Sequence, residues 1–477
     1  MRNFAMHFWR TLAGFGDATA LVVPSEEEQG GVTTISFSEW VRRVHRVAVG
    51  LMEKGVEPGA RIGLITQNCT DLLTFAAGAW VVGACLVPLV PGRERRELLR
   101  CLARSGTEWI VVRDRDGLDQ IRGQAANLPE HLQWVLLDGD KAPTAQNIHT
   151  LDAILEAGHY RERRGGEKQL AKRMFEQPLE QPTTIFFAPE PGDDPHGAFF
   201  DGERTARLIE NLGQDLLLDD GDGEARVATI LSYGWFHAFL VSMATLFQGK
   251  AVIAADSLGD VIANLGKLEP THLLTGPAFL EGQARKWQAR IEAAPEFLKQ
   301  MTEEPSQKSR FSLGRALGVF GERAADKVLA EPIRQDLGTS LRAIYVVEGR
   351  LPDEVHGVLA RARIQLLGLH GYPECGISHL ERIGAQRRNS VGRPLQGVAC
   401  KIEDAKGDEA GQILIRSESM ARGYWDEEGP RTVQQGWLHT GDIGYIEDGF
   451  LFIGAKEADT GDEEAEAKEV HGDREEE

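Results

Sequence analysis

The chain has 477 residues, 42% of them apolar, and a formal charge of −20, which suits a soluble protein of two or three packed units. The negative balance excludes nucleic acid and an anionic membrane face as non-specific partners, because phosphate binding draws on Lys and Arg. Five cysteines (Cys69, Cys85, Cys101, Cys375, Cys400), odd in number and without a CxxC pair, imply neither a disulfide framework nor a zinc site and fit a reducing cytosol.

The N-terminus, MRNFAMHFWRTLAGFGDATALVV, lacks a continuous apolar segment and a cleavage site, so a cytoplasmic location is expected. Phe37 to Lys54 places Trp40, Val41, Val44, Val47, Ala48 and Leu51 on one helical face and ends at Gly55 and Pro58. Ala60–Thr66 then reads as a buried strand. The order continues with a helix over Asp71–Val82, a strand over Ala84–Val90, a helix over Arg93–Ser105 and a strand over Trp109–Val112. Such alternation builds a parallel sheet covered on both faces. Leu72 to Pro91 is almost without polar residues, yet Gly78, Gly83 and Pro88 punctuate it as a buried helix and strand rather than a membrane span. This first unit is expected over residues 1–180.

A second alternation is expected over 181–376. Thr183–Phe187, Arg226–Leu231, Ala251–Ala255, His272–Thr275 and Ala343–Val347 read as strands, Phe236–Phe247 and Glu281–Arg310 as helices, and Glu303–Ser309 as an exposed loop. From 377 to 454 short strands separated by Gly and Asp pairs predict a small β-barrel. Its last hairpin turns at Asp448-Gly449. Beyond it, 457–477 carries eleven acidic residues against Lys468 and Arg474, a net of −9, so 455–477 is expected to be a disordered acidic tail.

The most informative stretch is Gly436 to Asp442, GWLHTGD, read as a tight Thr440-Gly441-Asp442 turn that presents a carboxylate. It is followed by IGYIEDGFLFIG. Together with VEPGARI at Val56–Ile62, GAWVVGACLVPL at Gly78–Leu89, THLLTGP at Thr271–Pro277, SLR at Ser340–Arg342, VGRP at Val391–Pro394 and GYW at Gly423–Trp425, the chain resembles the adenylate-forming (AMP-binding) superfamily of acyl-CoA synthetases, luciferases and peptide-synthetase adenylation domains. The resemblance implies an α/β fold of two doubly wound parallel-sheet subdomains plus a small β-barrel. It also implies acid activation, in which a carboxylate attacks the α-phosphate of ATP to give acyl-AMP and pyrophosphate.

The resemblance assigns site residues one at a time, and several depart from the family pattern. Asp442, with Thr440, stands where the ribose hydroxyls are held; the alternative is ordinary turn chemistry. The phosphate loop falls on Ala188 to Gly197, APEPGDDPHG, of which Gly192, His196 and Gly197 are the remnants. Its hydroxyls are gone, its prolines donate no N–H, and Glu190, Asp193 and Asp194 would face triphosphate. His196 stands in the place of the lysine, and an imidazole carries little charge at pH 7.

His370-Gly371-Tyr372-Pro373-Glu374 resembles Tyr-Gly-x-Thr-Glu. His370 offers a flat π face to adenine, Pro373 cannot replace a hydroxyl, and Glu374 either holds magnesium or caps the following turn. Glu348-Gly349-Arg350 occupies the small turn that lines the adenine pocket, with its two charged side chains either crowding that slot or facing solvent. Tyr233, Trp235 and His237 lie where relatives line the acid pocket, with His237 about three residues out of register; the alternative is a plain aromatic core.

The family hinge reads Gly454-Ala455-Lys456-Glu457-Ala458-Asp459, without its arginine. The 23 residues after Gly454 are too few for the family's lysine-bearing domain. ATP or AMP with magnesium is therefore the implied cofactor set, and CoA thioester formation is not expected from this chain alone. Two readings stand. One is a degenerate relative that binds an acyl, adenylate or protein ligand. The other is a carboxylate-activating ligase completed by a separately encoded domain.

Overall fold

The computed structural model describes residues 3–25, 31–124, 131–139, 145–187, 195–216, 218, 224–293, 330–347, 351–403, 410–425 and 433–454. Three sheets organise these residues. The eight-stranded sheet runs, in spatial order, Gly423–Tyr424, Gly197–Asp201, Pro182–Phe187, Cys85–Pro88, Arg61–Leu64, Trp109–Val112, Gln133–Leu136 and Ile148–Thr150. From Pro182–Phe187 to Ile148–Thr150 all neighbours are parallel.

The nine-stranded sheet runs Arg393–Pro394, Gly376–Leu380, Gln365–Tyr372, Ala343–Val347, His272–Thr275, Arg226–Thr229, Ala251–Ile253, Thr19–Pro24 and Val32–Ser36. Its middle strands are parallel and both ends are closed by antiparallel pairs. The third sheet has five strands, Val398–Glu403, Gly411–Ser417, Trp437–Glu447, Val433–Gln434 and Phe450–Ile453.

Strand pairing crosses the boundary expected at residue 180 in both directions. Leu21 and Val22 pair with Val252 and Ile253 in the nine-stranded sheet, whereas Thr184 pairs with Leu86 in the eight-stranded one. Position along the chain does not fix sheet membership, because burying both edges of an apolar strand requires partners distant in sequence. Likewise, Gly376–Leu380 and Arg393–Pro394 close the large sheet rather than joining the small one.

The amphipathic helix Phe37–Glu53 begins at a capping box, in which the Ser36 hydroxyl accepts from the Glu39 backbone N–H and the Glu39 carboxylate accepts from that of Ser36. Helix Thr70–Val82 is buried on every side from Leu72 to Val82, and only Thr70 and Asp71 of its first turn reach the surface. Trp80 fixes it: the indole N–H donates to Thr183 O at 3.0 Å, and the ring meets Phe239 of helix Phe236–Phe247 edge-on at 5.4 Å. One continuous core therefore joins Ile62 and Val111 of one large sheet to Val252 and Leu274 of the other through these helices. At Gly234 the two halves meet closely, since a Cβ there would lie 2.3 Å from Leu89 C and Val90 N. No helix among the described residues is long and apolar enough to cross a membrane.

Candidate functional site

The site forms where strand Gln365–Tyr372 reverses into Gly376–Leu380. The reversal is tight: a Cβ on Gly371 would stand 2.1 Å from Gly376 O, and Gly376 has φ +66°. Pairing slips between His370 and Gly371, a bulge that turns successive side chains toward different neighbours. Tyr372 and Cys375 then sit in the core of the small sheet beside Ile413, Leu438 and Leu451. This contact brings the small sheet to the end of the large one.

The Thr440-Gly441-Asp442 segment is not a turn between strands. It lies inside strand Trp437–Glu447 as a bulge, since His439 pairs with Leu414 and Ile443 with Gln412, leaving three residues opposite Ile413. Gly441 adopts φ +82°, which an L side chain rarely accepts. The Thr440 hydroxyl donates to Ile413 O at 2.8 Å and accepts from the Asp442 N–H at 3.2 Å. The bulge thereby aims Asp442 at Tyr372, whose hydroxyl donates to Asp442 Oδ2 at 2.6 Å. Burial first, and then the Asp442 carboxylate, push the Tyr372 phenol well above its ordinary pKa.

A cavity of about 760 Å³ runs along this strand. His370, Gly371, Tyr372, Asp442, Trp235 and Phe236 all line it, with Leu351 and Ile364 as apolar wall. Its far wall is the segment Gln386–Val391, held by a buried carboxylate: Glu381 accepts from Gly368 N at 2.9 Å, Arg387 N at 2.7 Å and Ser390 Oγ at 2.6 Å. Arg387 also pairs with Asp448 at 2.6 Å, and Arg388 with Asp353.

His370 is 6% exposed and meets the Tyr372 ring edge-on at 4.8 Å. Behind it lie His237 and His379, both fully buried. Burial first, and then the proximity of His370, hold both below the ordinary imidazole range: His237 well below it and His379 down to about 3. His237 and His379 are therefore neutral rings at neutral pH.

Trp235 alone of the three expected acid-pocket residues opens on the cavity. Tyr233 is 2% exposed, donates its backbone N–H to Asn68 Oδ1 at 2.7 Å and has its phenol bonded to Ser242. His237 lies tilted against Phe236, with ring centres 3.8 Å apart. Phe236 lines the cavity beside Trp235.

Glu374 is 5% exposed and is not among the cavity-lining residues. Its Oε1 accepts from the Tyr424 hydroxyl at 2.6 Å, and its backbone O accepts from Ala421 N at 2.7 Å. The Tyr424 ring in turn meets His196 edge-on at 5.9 Å. No group of three or more His, Cys, Asp or Glu side chains among the described residues is placed to hold a metal. A carboxylate 5% exposed whose Oε1 is taken by a phenol is a poor fit to a resident magnesium ion, which keeps waters and substrate oxygens around it.

Gly197 begins the return strand of the hairpin Pro182–Phe187/Gly197–Asp201, opposite Phe187, and His196 immediately precedes it. Gly192, Glu190, Asp193 and Asp194 of that hairpin's loop lie outside the described residues, as do Gly349 with its flanking Glu348 and Arg350, the hinge after Gly454 and the acidic tail.

Sequence reasoning missed three partners: the hydroxyls of Tyr372 and Tyr424, and the Glu381 anchor. Glu381 carried a signal, since a carboxylate ending the otherwise buried run GISHL demands donors nearby.

Comparison with known proteins identifies the family. Residues 8–186 and 204–425 match the family described as AMP-binding enzyme. The long-chain-fatty-acid–CoA ligase heimdall of Drosophila melanogaster is 23% identical over 91% of this chain and 66% of its own length. The human long-chain-fatty-acid–CoA ligase ACSBG1 is 22% identical over 94% of this chain and 63% of its own. The chain thus spans just under two thirds of the curated relatives it matches. Among solved structures, the anthranilate CoA ligase AuaEII in complex with anthranoyl-AMP superposes with a TM-score of 0.68 at 17% identity, over 95% of this chain and 78% of that one. The chain belongs to the AMP-binding enzyme family.

Proposed function

We propose that this protein binds an adenylate, either AMP itself or an acyl-AMP, in the cavity along Gln365–Tyr372, and that by itself it activates acids weakly or not at all. The observation that carries the reading is the convergence of His370, Tyr372, Asp442 and Trp235 on one cavity of about 760 Å³, a size suited to a small molecule of this class. His370 supplies a flat face for adenine, Asp442 accepts from the ribose, and Trp235 with Phe236 offers apolar surface to the acid. The bound anthranoyl-AMP named for AuaEII supports the same ligand class.

Weak chemistry follows from the residues at the phosphate end. Attack on the α-phosphate develops negative charge, which preorganised donors and cations must stabilise. In this chain Pro373 replaces a hydroxyl and His196 replaces a lysine. Glu374 is held by Tyr424, so no step is assigned to a magnesium ion there.

Thermal unfolding with AMP, ATP and a non-hydrolysable acyl-adenylate tests the binding, because a ligand at 100 times its Kd adds about 2.7 kcal/mol. Absence of any shift overturns it. Pyrophosphate exchange with a panel of fatty and aryl acids tests the chemistry. Robust exchange by the chain alone overturns the weak-catalysis part and leaves an ordinary ligase.

A further inference from the structure

We infer that a second cavity, at the start of strands Arg226–Thr229, His272–Thr275, Ala343–Val347 and Gln365–Tyr372, is an anion site that takes a phosphate group through four arginines. It stands apart from the nucleotide reading above and does not depend on it.

The cavity measures about 650 Å³, and Arg226, Arg334, Arg342 and Arg363 all line it. Their convergence follows from the sheet. Val227, His272 and Ala343 stand side by side in three parallel strands, so the residues just before them, Arg226, Thr271 and Arg342, form one row. Backbone bonds hold that row: Thr271 N donates to Arg226 O and Arg342 N to Thr271 O, each at 2.9 Å. With about 4.8 Å between strands, the two arginine backbones lie about 10 Å apart, within reach of two long side chains that meet one small ion. Arg363 enters from the loop before Gln365, where its φ is +55°, and Arg334 from helix Glu331–Leu337.

The carboxylates lining the cavity among the described residues are Glu224 and Glu269. Both are already engaged. Glu269 accepts from the Thr339 hydroxyl at 3.0 Å and from Ser340 N at 2.7 Å, and Glu224 accepts from Thr19 N at 3.2 Å. Arg334 donates Nε to Ala362 O and Nη1 to Thr339 O, both at 2.9 Å. These two bonds fix the plane of its guanidinium and leave the rest of its five N–H donors for a ligand. Among the described residues neither Arg226 nor Arg334 is paired with a carboxylate. Guanidinium forks match the oxygens of phosphate, and an anion relieves the repulsion among four like charges gathered in one concavity. Burial first, and then the charge of Arg342, lower His272 to about 4, so this positive charge is felt behind the cavity as well. The volume exceeds that of a bare ion and suits a small phosphorylated molecule.

Calorimetric titration of the full chain with inorganic phosphate, glycerol 3-phosphate and tripolyphosphate, at constant ionic strength, tests the site. All three should bind, tripolyphosphate most tightly because it carries the most charge. Arg226→Ala and Arg342→Ala should each weaken binding about tenfold, the size of one charge-assisted contact. Arg226→Lys should recover part of that loss, since it keeps the charge but not the fork. Tighter binding of glycerol 3-phosphate than of phosphate assigns the cavity to a phosphorylated small molecule, and the reverse order assigns it to the free ion.

Equal affinities in the wild type and both alanine variants place the anion elsewhere, the nucleotide cavity included, and overturn the inference. Absence of binding by the wild type overturns it too. That is the result expected if Asp219, Asp220 and Asp222, which precede Glu224 in the sequence and lie outside the described residues, already neutralise the arginines.

Discussion

The hydroxyl of Tyr424 donates to Oε1 of Glu374 across 2.6 Å, joining residues 50 apart in sequence. Tyr424 belongs to a two-residue strand that pairs with Gly197–Asp201 of the eight-stranded sheet, whereas Glu374 sits in the reversal at the edge of the nine-stranded one. A single phenol thus spans the two large sheets at the site.

Replacing Tyr424 by Phe removes this donor while keeping the ring against His196. The carboxylate is 5% exposed and loses a charge-assisted bond, so stability falls by about 1.5–3 kcal/mol. Urea denaturation reads the change. Magnesium chloride should raise the Tm of Tyr424→Phe but not of the wild type, because only the variant leaves Oε1 open to a cation. A magnesium-responsive wild type contradicts the present account of Glu374.

Glu381→Gln tests the wall of the cavity. The carboxylate accepts three donors, and an amide in its place turns an N–H toward at least one of them. A loss of about 2–4 kcal/mol is expected. AMP binding should weaken as well, since Arg387, Ser390 and Val391 line the cavity. Unaltered affinity would show that this wall does not shape the ligand site.

How much of this was legible in the sequence depends on the range of the interaction. Asp448-Gly449 was readable as a hairpin from two residues, and they do connect Trp437–Glu447 to Phe450–Ile453 with φ of +49° and +80°, as a type I′ turn requires. Helices Thr70–Val82 and Phe236–Phe247 were readable because length, punctuation and apolar content are local. Thr440–Asp442 was misread as a turn because a bulge is defined only by the opposite strand, here Gly411–Ser417. The placement of Thr19–Pro24 beside Ala251–Ile253 was invisible for the same reason. At the site, residue types suggested Asp442, His370 and Glu374, but their hydroxyl partners depend on side chains that only folding brings together.

Gly234→Ala probes the contact between the halves. The added Cβ would lie 2.3 Å from the backbone of Leu89 and Val90, and backbone inside a core cannot yield as a side chain does. Overpacking of this kind costs about 1–3 kcal/mol, and the upper end is expected. Chemical denaturation measures it, and a neutral result would mean that the sheets separate more easily than their shared core implies.

Three buried histidines give the protein an acid limit. Burial and then the charge of Arg342 lower His272 to about 4, while burial and then His370 lower His379 to about 3 and His237 well below its ordinary value. Above the ordinary imidazole pKa of about 6.5 these groups are neutral in both folded and unfolded chains and stability does not depend on them. As pH falls below that value the unfolded chain takes up protons that the folded chain refuses, so stability drops at up to about 1.4 kcal/mol per pH unit for each group. Urea midpoints measured from pH 7 to pH 5 should therefore fall steadily, before most carboxylates titrate. His272→Phe keeps an aromatic ring against Tyr345, which His272 faces at 5.9 Å and 12°, and removes one titrating group. Its profile should be shallower than the wild type over the same interval. Equal slopes would show that His272 is protonated in the folded protein at these pH values.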